Sequence, residues 1–504
     1  MTIGLARLTA LLSAAALMLA GCDLGPQYHR PSLDVPAAYR ATPQSATAAW
    51  PAADWWRGFH SRELNALIEQ ARVQNFDIAA AIARVRQADA QVRIAGAPLL
   101  PDFSGTGNAT WQHEGLGATT TGSAYGRASN ATIDLHEYSF GLNASYELDF
   151  WGRNLATRQS AVAAAMFSRF DQQTVALTVV TDVANTWFTA LSLADRLGVA
   201  RRNLAVAEQV LKVIRGRLDA GTASALDVAQ QEALADGERA LIPGFISQLE
   251  QEVIALGILV GEPPERINVT PGTLTALDLP PVASGLPSEL LARRPDVAGA
   301  EAQLIAQNFN IKVARAAFFP SITLTGSAGF EGEALNHLIG PGGAVVSLAA
   351  GLTLPLFDGG TLRGQLEQAK GRYDELLADY RKAVVQAFTD VDTALTAWRY
   401  ASEQERLQRI AVEAATRAAT IATAQLGAGT VDITTVLTAE TTQFNDEDTL
   451  VQVRLARVQA LLNLYKALGG GWVEADQPVE DQFPGLKPGV VRGGVALPVG
   501  GNVE

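Results

Sequence analysis

One pattern of residues is written twice along this chain. Leu99-Leu100-Pro101 closes a helix-like run and opens a strand-like one, and Phe318-Phe319-Pro320 does the same in the second half. Arg217-Leu218-Asp219-Ala220-Gly221-Thr222 is echoed by Gln425-Leu426-Gly427-Ala428-Gly429-Thr430, and Phe150-Trp151-Gly152 by Phe357-Asp358-Gly359. The landmarks come in the same order in both halves. A unit this long is a duplicated supersecondary assembly, not one of the short repeats that stack into a solenoid. The chain is therefore two copies of one mixed architecture, each with two short strands and very long helices.

The helices are legible from what they lack. Residues 153–219 contain no proline, and Gly198 and Gly216 are their only glycines. A helix of that length reaches about 100 Å, against a mean near 11 residues, and does not belong to an ordinary globular core. In the second copy, Leu366, Ala369, Tyr373, Leu376, Tyr380, Val384, Ala387, Val391, Leu395 and Trp398 advance by threes and fours, the seam of a coiled-coil-like packing. Val451, Leu455, Val458, Leu462 and Tyr465 continue it on a returning helix. Segments 76–97 and 223–260 together nearly match 153–219, and 295–317 with 431–468 nearly match 360–425. This predicts pairs of shorter helices stacked end to end beside each long one.

The strands alternate. Tyr138, Phe140, Leu142, Ala144, Tyr146, Leu148 and Phe150 interleave with Ser139, Gly141, Asn143, Ser145, Glu147 and Asp149. Val346, Leu348, Ala350, Leu352, Leu354 and Leu356 repeat the pattern, as do Ile322, Leu324, Ala328 and Phe330; residues 103–112 carry it more weakly, anchored by Trp111. Strands of about 9–11 residues, apolar on one side and polar on the other, are the signature of a membrane barrel, and Tyr138, Phe150 and Trp151 stand where aromatic girdles sit. Segments 113–136 and 331–343 read as polar, glycine-rich surface loops, while the opposite strand ends run into helices. Four strands cannot close a barrel, and an open sheet in lipid leaves unpaired backbone groups at several kcal/mol each. The chain must pair with copies of itself, and three copies supply twelve strands.

The N-terminus sets the compartment. Arg7, the apolar run Leu8 to Ala20 and then Gly21-Cys22 read as a signal peptide, residues 1–21, ending in a bacterial lipobox. Cys22 is the only cysteine, so the mature lipoprotein, acylated there, has no thiol left for a disulfide. Asp23 is a residue that retains enteric lipoproteins at the inner membrane, a conflict with an outer-membrane barrel. Later segments lack a run of about 18 apolar residues, so a spanning helix is not expected. A net charge of −13 and the lack of a basic stripe argue against nucleic acid. His29, His60, His113, His136 and His337 have no metal-ligand spacing, and no phosphate-cradling glycine loop occurs. An enzyme, a cofactor and a metal are all unexpected. The organisation that follows is a leader (22–60) that Pro26, Pro31, Pro36, Pro43 and Pro51 mark as extended, a first repeat (61–262), a linker (263–285), a second repeat (286–470) and a disordered tail (471–504). Expected strands lie at about 103–112, 138–150, 321–331 and 345–357. Expected long helices cover 153–219, 223–260, 360–425 and 431–468.

Trp56-Arg57-Gly58-Phe59, Leu64 through Asn75, Pro295-Asp296-Val297 and Ala316-Ala317-Phe318-Phe319-Pro320-Ser321 resemble the outer membrane efflux lipoproteins, the exit ducts of tripartite resistance-nodulation-division pumps. The resemblance covers about residues 17–472. It implies a mixed α and β membrane protein: a homotrimer with a twelve-stranded β-barrel, four strands per chain, continued by a long α-helical periplasmic tunnel closed at its inner end. It implies an adaptor protein docked at the tips, at Gly221, Thr222, Gly429 and Thr430, and an inner-membrane pump that supplies the energy. Family gates carry an aspartate on the first hairpin, matched by Asp227. On the second hairpin the position nine residues after the tip glycine is acidic in many members but is Thr438 here; Thr434 faces the same way, and Asp432 and Glu440 are acidic neighbours. The three Asp227 copies are expected to take hydrogen bonds from hydroxyls or amides of the neighbouring hairpin, with Thr434 and Thr438 as donors. Glu440 reads equally well as a solvated position. The function implied is passive conduction of small molecules from periplasm to exterior. A type I protein-secretion duct shares the architecture. A periplasmic structural or adaptor lipoprotein held by Asp23 is a second alternative, opposed by the lipid-facing Tyr and Leu of the strands.

Overall fold

The computed structural model describes residues 25–32, 35–36, 39–40, 50–116, 131–269, 272–277, 279–280, 287–340 and 342–472. The expected signal peptide, Cys22, Asp23 and the tail from 473 onward lie outside the described residues. The chain divides into two compact units.

The first unit contains Gln87–Ala165 and Ala302–Leu377 and holds the sheet. Its strands are β1 (Asp102–Leu116), β2 (Ala131–Leu148), β3 (Ser321–Gly332) and β4 (Ala344–Thr353), in the order β1-β2-β3-β4 and antiparallel throughout. Each repeat contributes one hairpin, and the β2–β3 pairing joins them. Residues directly opposite in an antiparallel pair share a face. Gly105, Leu142, Ala328 and Val346 therefore form one row, and Tyr146, Leu324 and Ala350 another. Leu148, Ile322 and Leu352 form a third. Phe140, Leu142, Val346, Leu348 and Leu352 stand exposed on this apolar face. The other face carries the row Ser104, Asn143, Ser327 and Ser347, with Asn143 Nδ2 donating to Thr106 Oγ1 at 3.0 Å and the Ser327 and Ser347 hydroxyls 2.7 Å apart.

Four strand ends differ from expectation. β2 starts at Ala131 rather than Tyr138, and β1 runs on to Leu116, so much of the expected 113–136 loop is paired strand. The apolar phase explains why this was hidden. Ile133 and Leu135 occupy odd positions, whereas Tyr138 onward uses even ones, so the strand continues while its pattern inverts. β4 ends at Thr353 rather than 357, because Pro355 has no N–H to add to a ladder. β2 ends at Leu148, which leaves Phe150 and Trp151 beyond the strand. Trp151 Nε1 donates to Pro320 O at 2.7 Å, and its ring lies 4.7 Å from that of Phe319. The exit of the first hairpin is thus pinned to the entry of the second.

The helices are α1 (Arg62–Gln74), α2 (Phe76–Gly96), α3 (Arg153–Asp219), α4 (Ala225–Val260), α5 (Pro295–Ala316), α6 (Thr361–Gly427) and α7 (Ile433–Ala467). Both long helices, α3 and α6, have 67 residues. Each starts on an aspartate: Asp149 accepts from Asn154 N and Leu155 N, and Asp358 from Gly360 N and Leu362 N. These bonds satisfy first-turn donors that a helix leaves orphaned.

The second unit contains Arg30–Arg86, Met166–Glu301 and the chain from Ala378 onward. Its core corrects the extended-leader expectation. Trp55–Phe59 form a 3-10 helix whose Trp55, Trp56 and Phe59 are buried against Phe188, Leu461 and Tyr465. The Trp55 and Tyr465 rings lie 5.0 Å apart, and those of Phe59 and Phe188 4.8 Å apart.

The end-to-end stacking is present in both repeats. Asn75 Oδ1 accepts from Asp77 N and Ile78 N at the start of α2, while Nδ2 donates to Leu259 O at the end of α4. Gly261 closes α4 at φ +77°, and a Cβ there would lie 2.3 Å from Gln74 O, so only glycine fits. In the second repeat Arg294, just before α5, donates to Ala467 O at the end of α7 and to Asp296 and Asp390. The described part of the 263–285 linker is held by Arg454, which donates to Leu274 O, Thr275 O and Leu277 O and pairs with buried Glu405 at 2.8 Å. Arg457 and Arg409 also bond Glu405.

Candidate functional site at the helical-hairpin turns

The two turns have one chemistry. After α3 the chain reverses through Gly221 at φ +74°, and after α6 through Gly429 at φ +73°. Thr222 N donates to Arg217 O and Gly221 N to Leu218 O; Thr430 N donates to Gln425 O and Gly429 N to Leu426 O. This is the Schellman closure in duplicate, in which a left-handed glycine lets two carbonyls of the last turn find donors. The threonine hydroxyls add a second donor to the same carbonyls, each at 3.1 Å. A Cβ on either glycine would meet nothing within 4 Å, so the requirement there is one of backbone angle alone.

The returning helices restart with different caps. Ser224 Oγ accepts from Asp227 N, and Asp227 Oδ2 accepts from Ser224 N at 2.7 Å, a reciprocal capping box. On the second hairpin Asp432 is itself the N-cap and accepts from Thr435 N, Thr435 Oγ1 and Thr434 Oγ1. Those bonds hold its carboxyl below the ordinary aspartate range, the Thr435 hydroxyl contributing most. Thr438 Oγ1 donates to Thr434 O, one turn back. The expected donation from Thr434 and Thr438 to Asp227 is therefore not made within the chain: all three groups are engaged locally. A hydroxyl is short enough to reach its own backbone, and local bonds win.

The hairpins are fastened to each other close to the turns. Val210, Ile214, Ala422, Leu426, Ile433 and Val436 form a buried cluster, with Ala223, Val228 and Leu437 packed on it. Arg217 reaches across to donate to Leu426 O at 2.7 Å, occupying a carbonyl at the end of α6. Thr434 and Thr438 are exposed on α7 and, with Ala415, Ala418, Thr435, Ala439 and Thr442, line an open groove of about 430 Å³ between α6 and α7. Glu440 points the other way. It is 1% exposed and bonded by Gln231 Nε2 at 3.2 Å, not solvated. The sequence marks Arg217 only as part of the duplicated turn motif and Gln231 not at all, because each is one polar residue on a long mixed helix and its partner lies on another helix. Among the described residues no cluster of His, Cys, Asp and Glu could hold a metal ion, and no helix is long and apolar enough to cross a membrane.

The sequence pattern of the outer membrane efflux protein family matches residues 67–262 and 286–470. The chain belongs to that family. Its function is that of an outer-membrane efflux channel. Pyoverdine export outer membrane protein OpmQ of Pseudomonas aeruginosa is 38% identical over 469 residues, covering 92% of this chain and 96% of its own length. Toluene efflux pump outer membrane protein TtgC of Pseudomonas putida is 33% identical over 468 residues, 92% and 95% respectively. The outer-membrane channel OprN superposes with a TM-score of 0.81 at 26% identity, over 89% of this chain and 99% of that structure. The Campylobacter jejuni CmeC channel, at 23% identity and a TM-score of 0.83, shows the shared fold alone. The efflux channel's matched segments fall one on each repeat and leave the linker between them.

Proposed function

We propose that this efflux channel is the passive, homotrimeric exit duct of a tripartite pump, anchored in the outer membrane by lipid on Cys22. The observation that carries the reading is the sheet register, which lines up one apolar face across all four strands and leaves β1 and β4 as free edges of the chain. Closing those edges in lipid needs further strands, and three chains provide the twelve that a barrel of this kind requires.

Gly221, Thr222, Gly429 and Thr430 form the adaptor-docking tips in this reading. Their duplicated closure presents both turns in one conformation, and the groove beside α7 offers small side chains to an incoming helix. Asp227, Asp432, Thr434 and Thr438 line the gate in this reading, with the Asp227 carboxylate as its latch and the two threonines as lining whose hydroxyls are already engaged. An inner-membrane pump supplies the energy. The cargo class is small organic molecules, in line with the pyoverdine and toluene named for the relatives. The test is planar-bilayer recording of detergent-purified protein beside chemical cross-linking of the same sample. Trimers that give discrete conductance steps support the duct; a cross-link-negative monomer without conductance overturns it.

A further inference from the structure

Two buried oxygens near the hairpin turns lack a partner, and they belong to residues already bonded to each other. Gln231 of α4 is 0% exposed and Glu440 of α7 is 1% exposed. Gln231 Nε2 donates to Ala207 O of α3 at 3.1 Å and to Glu440 Oε2 at 3.2 Å, which uses both amide protons and fixes the amide's orientation. Gln231 Oε1 and Glu440 Oε1 are left without any hydrogen-bond partner. Two orphaned buried acceptors, one on each member of a bonded pair, are costly when both are bare oxygens. A single proton removes both deficits, because a carboxylic acid and an amide can exchange two bonds in a ring.

We propose that Glu440 is held as a neutral carboxylic acid whose proton, on Oε1, bonds Gln231 Oε1 and so latches the second helical hairpin onto the first. Loss of that proton leaves a buried anion without a cation and loosens the seam.

The repeat supplies an internal control. Eleven residues after the turn glycine stands Glu232 in the first copy and Glu440 in the second. Glu232 is salt-bridged to Arg215 at 2.5 Å. The residue that corresponds to Arg215, six before the turn glycine, is Thr423. The second copy keeps the acid, lacks the arginine and buries the carboxyl. Charges on the helices packed here are engaged elsewhere. Glu208 of α3 bonds Arg239 of α4 at 2.7 Å, and Asp236 of α4 bonds the same arginine. Glu413 and Arg417 of α6 are exposed. The closest relative in behaviour is Glu238 of α4, which faces Asn203 of α3 and Asp448 and Glu447 of α7. Burial also raises Glu440 above the ordinary glutamate range, against a lowering bond from Gln231.

The sign follows. A folded-state value above the unfolded one contributes stability that is present at low pH and lost as pH rises through the raised value. The experiment is thermal unfolding of the full-length protein in detergent from acid to mildly alkaline pH, with Glu440→Gln and the swap Gln231→Glu/Glu440→Gln, and Glu238→Gln as the control. The wild type and the swap should lose Tm with rising pH by more than Glu440→Gln does, and a protonated-carboxyl infrared band at neutral pH should disappear in Glu440→Gln alone of the Glu440 variants. A Glu440→Gln protein with the wild-type pH slope and an unchanged band overturns the proposal. So does its failure to fold, since a neutral isostere of a neutral acid must be tolerated.

Discussion

Asn75 Nδ2 donates to Leu259 O at 2.8 Å across 184 residues of sequence, while its Oδ1 caps α2. One 2% exposed side chain thus ends α4 and begins α2. Asn75→Ala removes the cap and orphans a carbonyl, and a lost cap alone costs about 1 kcal/mol. Asn75→Asp keeps the cap acceptor but sets a buried carboxylate oxygen against Leu259 O in place of the donor, so it should recover only part of the alanine loss. Thermal unfolding in detergent ranks the three. Equal effects of Asp and Ala would mean the Leu259 bond, not the cap, dominates the junction.

The buried arginine network predicts an opposite pH limb to Glu440. Burial pushes the Glu405 carboxyl up, but the bonds and charges of Arg457 and Arg454 outweigh it and hold it below the ordinary glutamate range. A lowered folded value contributes stability that is present above the unfolded value and lost as pH falls through the folded one. Glu405→Gln should flatten the acid limb of the stability curve and, by leaving the buried Arg454 without its counter-charge, cost about 3–5 kcal/mol. An acid limb as steep as wild type would assign the acid loss to other carboxylates.

Opposite faces of the sheet should respond oppositely to charge. Leu142→Arg or Leu352→Arg puts a cation on the apolar face, at about 2–4 kcal/mol per site at the bilayer midplane. Asn143→Arg, one residue away on the polar face, should be tolerated. The yield of membrane-inserted protein reads the difference. Comparable losses on both faces would contradict a sheet with one side in lipid.

The turn glycines isolate a backbone requirement. With open space around both, Gly221→Ala and Gly429→Ala should each destabilise by about 1 kcal/mol through the left-handed angle alone. In the docking reading, export complemented in cells should suffer more than folding does. Full export at normal protein level would show that the turn conformation is not read by a partner.

What was readable in the sequence was what has a period. The proline-free run 153–219 is α3 to the residue, since nothing in it breaks a helix. The apolar face of β2 follows from strict alternation, but its first seven residues escaped because Ile133 and Leu135 carry the opposite phase. Trp55, Trp56 and Phe59 looked like a leader because the flanking prolines outweigh a five-residue 3-10 turn. Side-chain partners were the least legible. The partner of Glu440 is Gln231, itself bonded to Ala207 O, and these two residues come from two other helices. Asp227 stands in a capping box with Ser224, a spacing written locally in the sequence, while the resemblance points only to a gate.

That double role decides how the gate must be tested. Asp227→Ala removes a carboxylate from the proposed constriction and breaks a cap at once, and a gain of conductance could come from fraying of α4 rather than from an opened gate. Ser224→Ala separates them: it breaks the same capping box, at about 0.5–2 kcal/mol, and leaves the carboxylate in place. Thr434 and Thr438 are bound to Asp432 and to the backbone of their own hairpin, so they offer methyl groups and engaged hydroxyls where an acid is common, and contribute little to latching. Single-channel conductance in planar bilayers should therefore rise in Asp227→Ala, stay near wild type in Ser224→Ala, and change little in Thr434→Ala and Thr438→Ala. A rise of equal size in Ser224→Ala and Asp227→Ala would make hairpin fraying the cause and remove Asp227 from the gate.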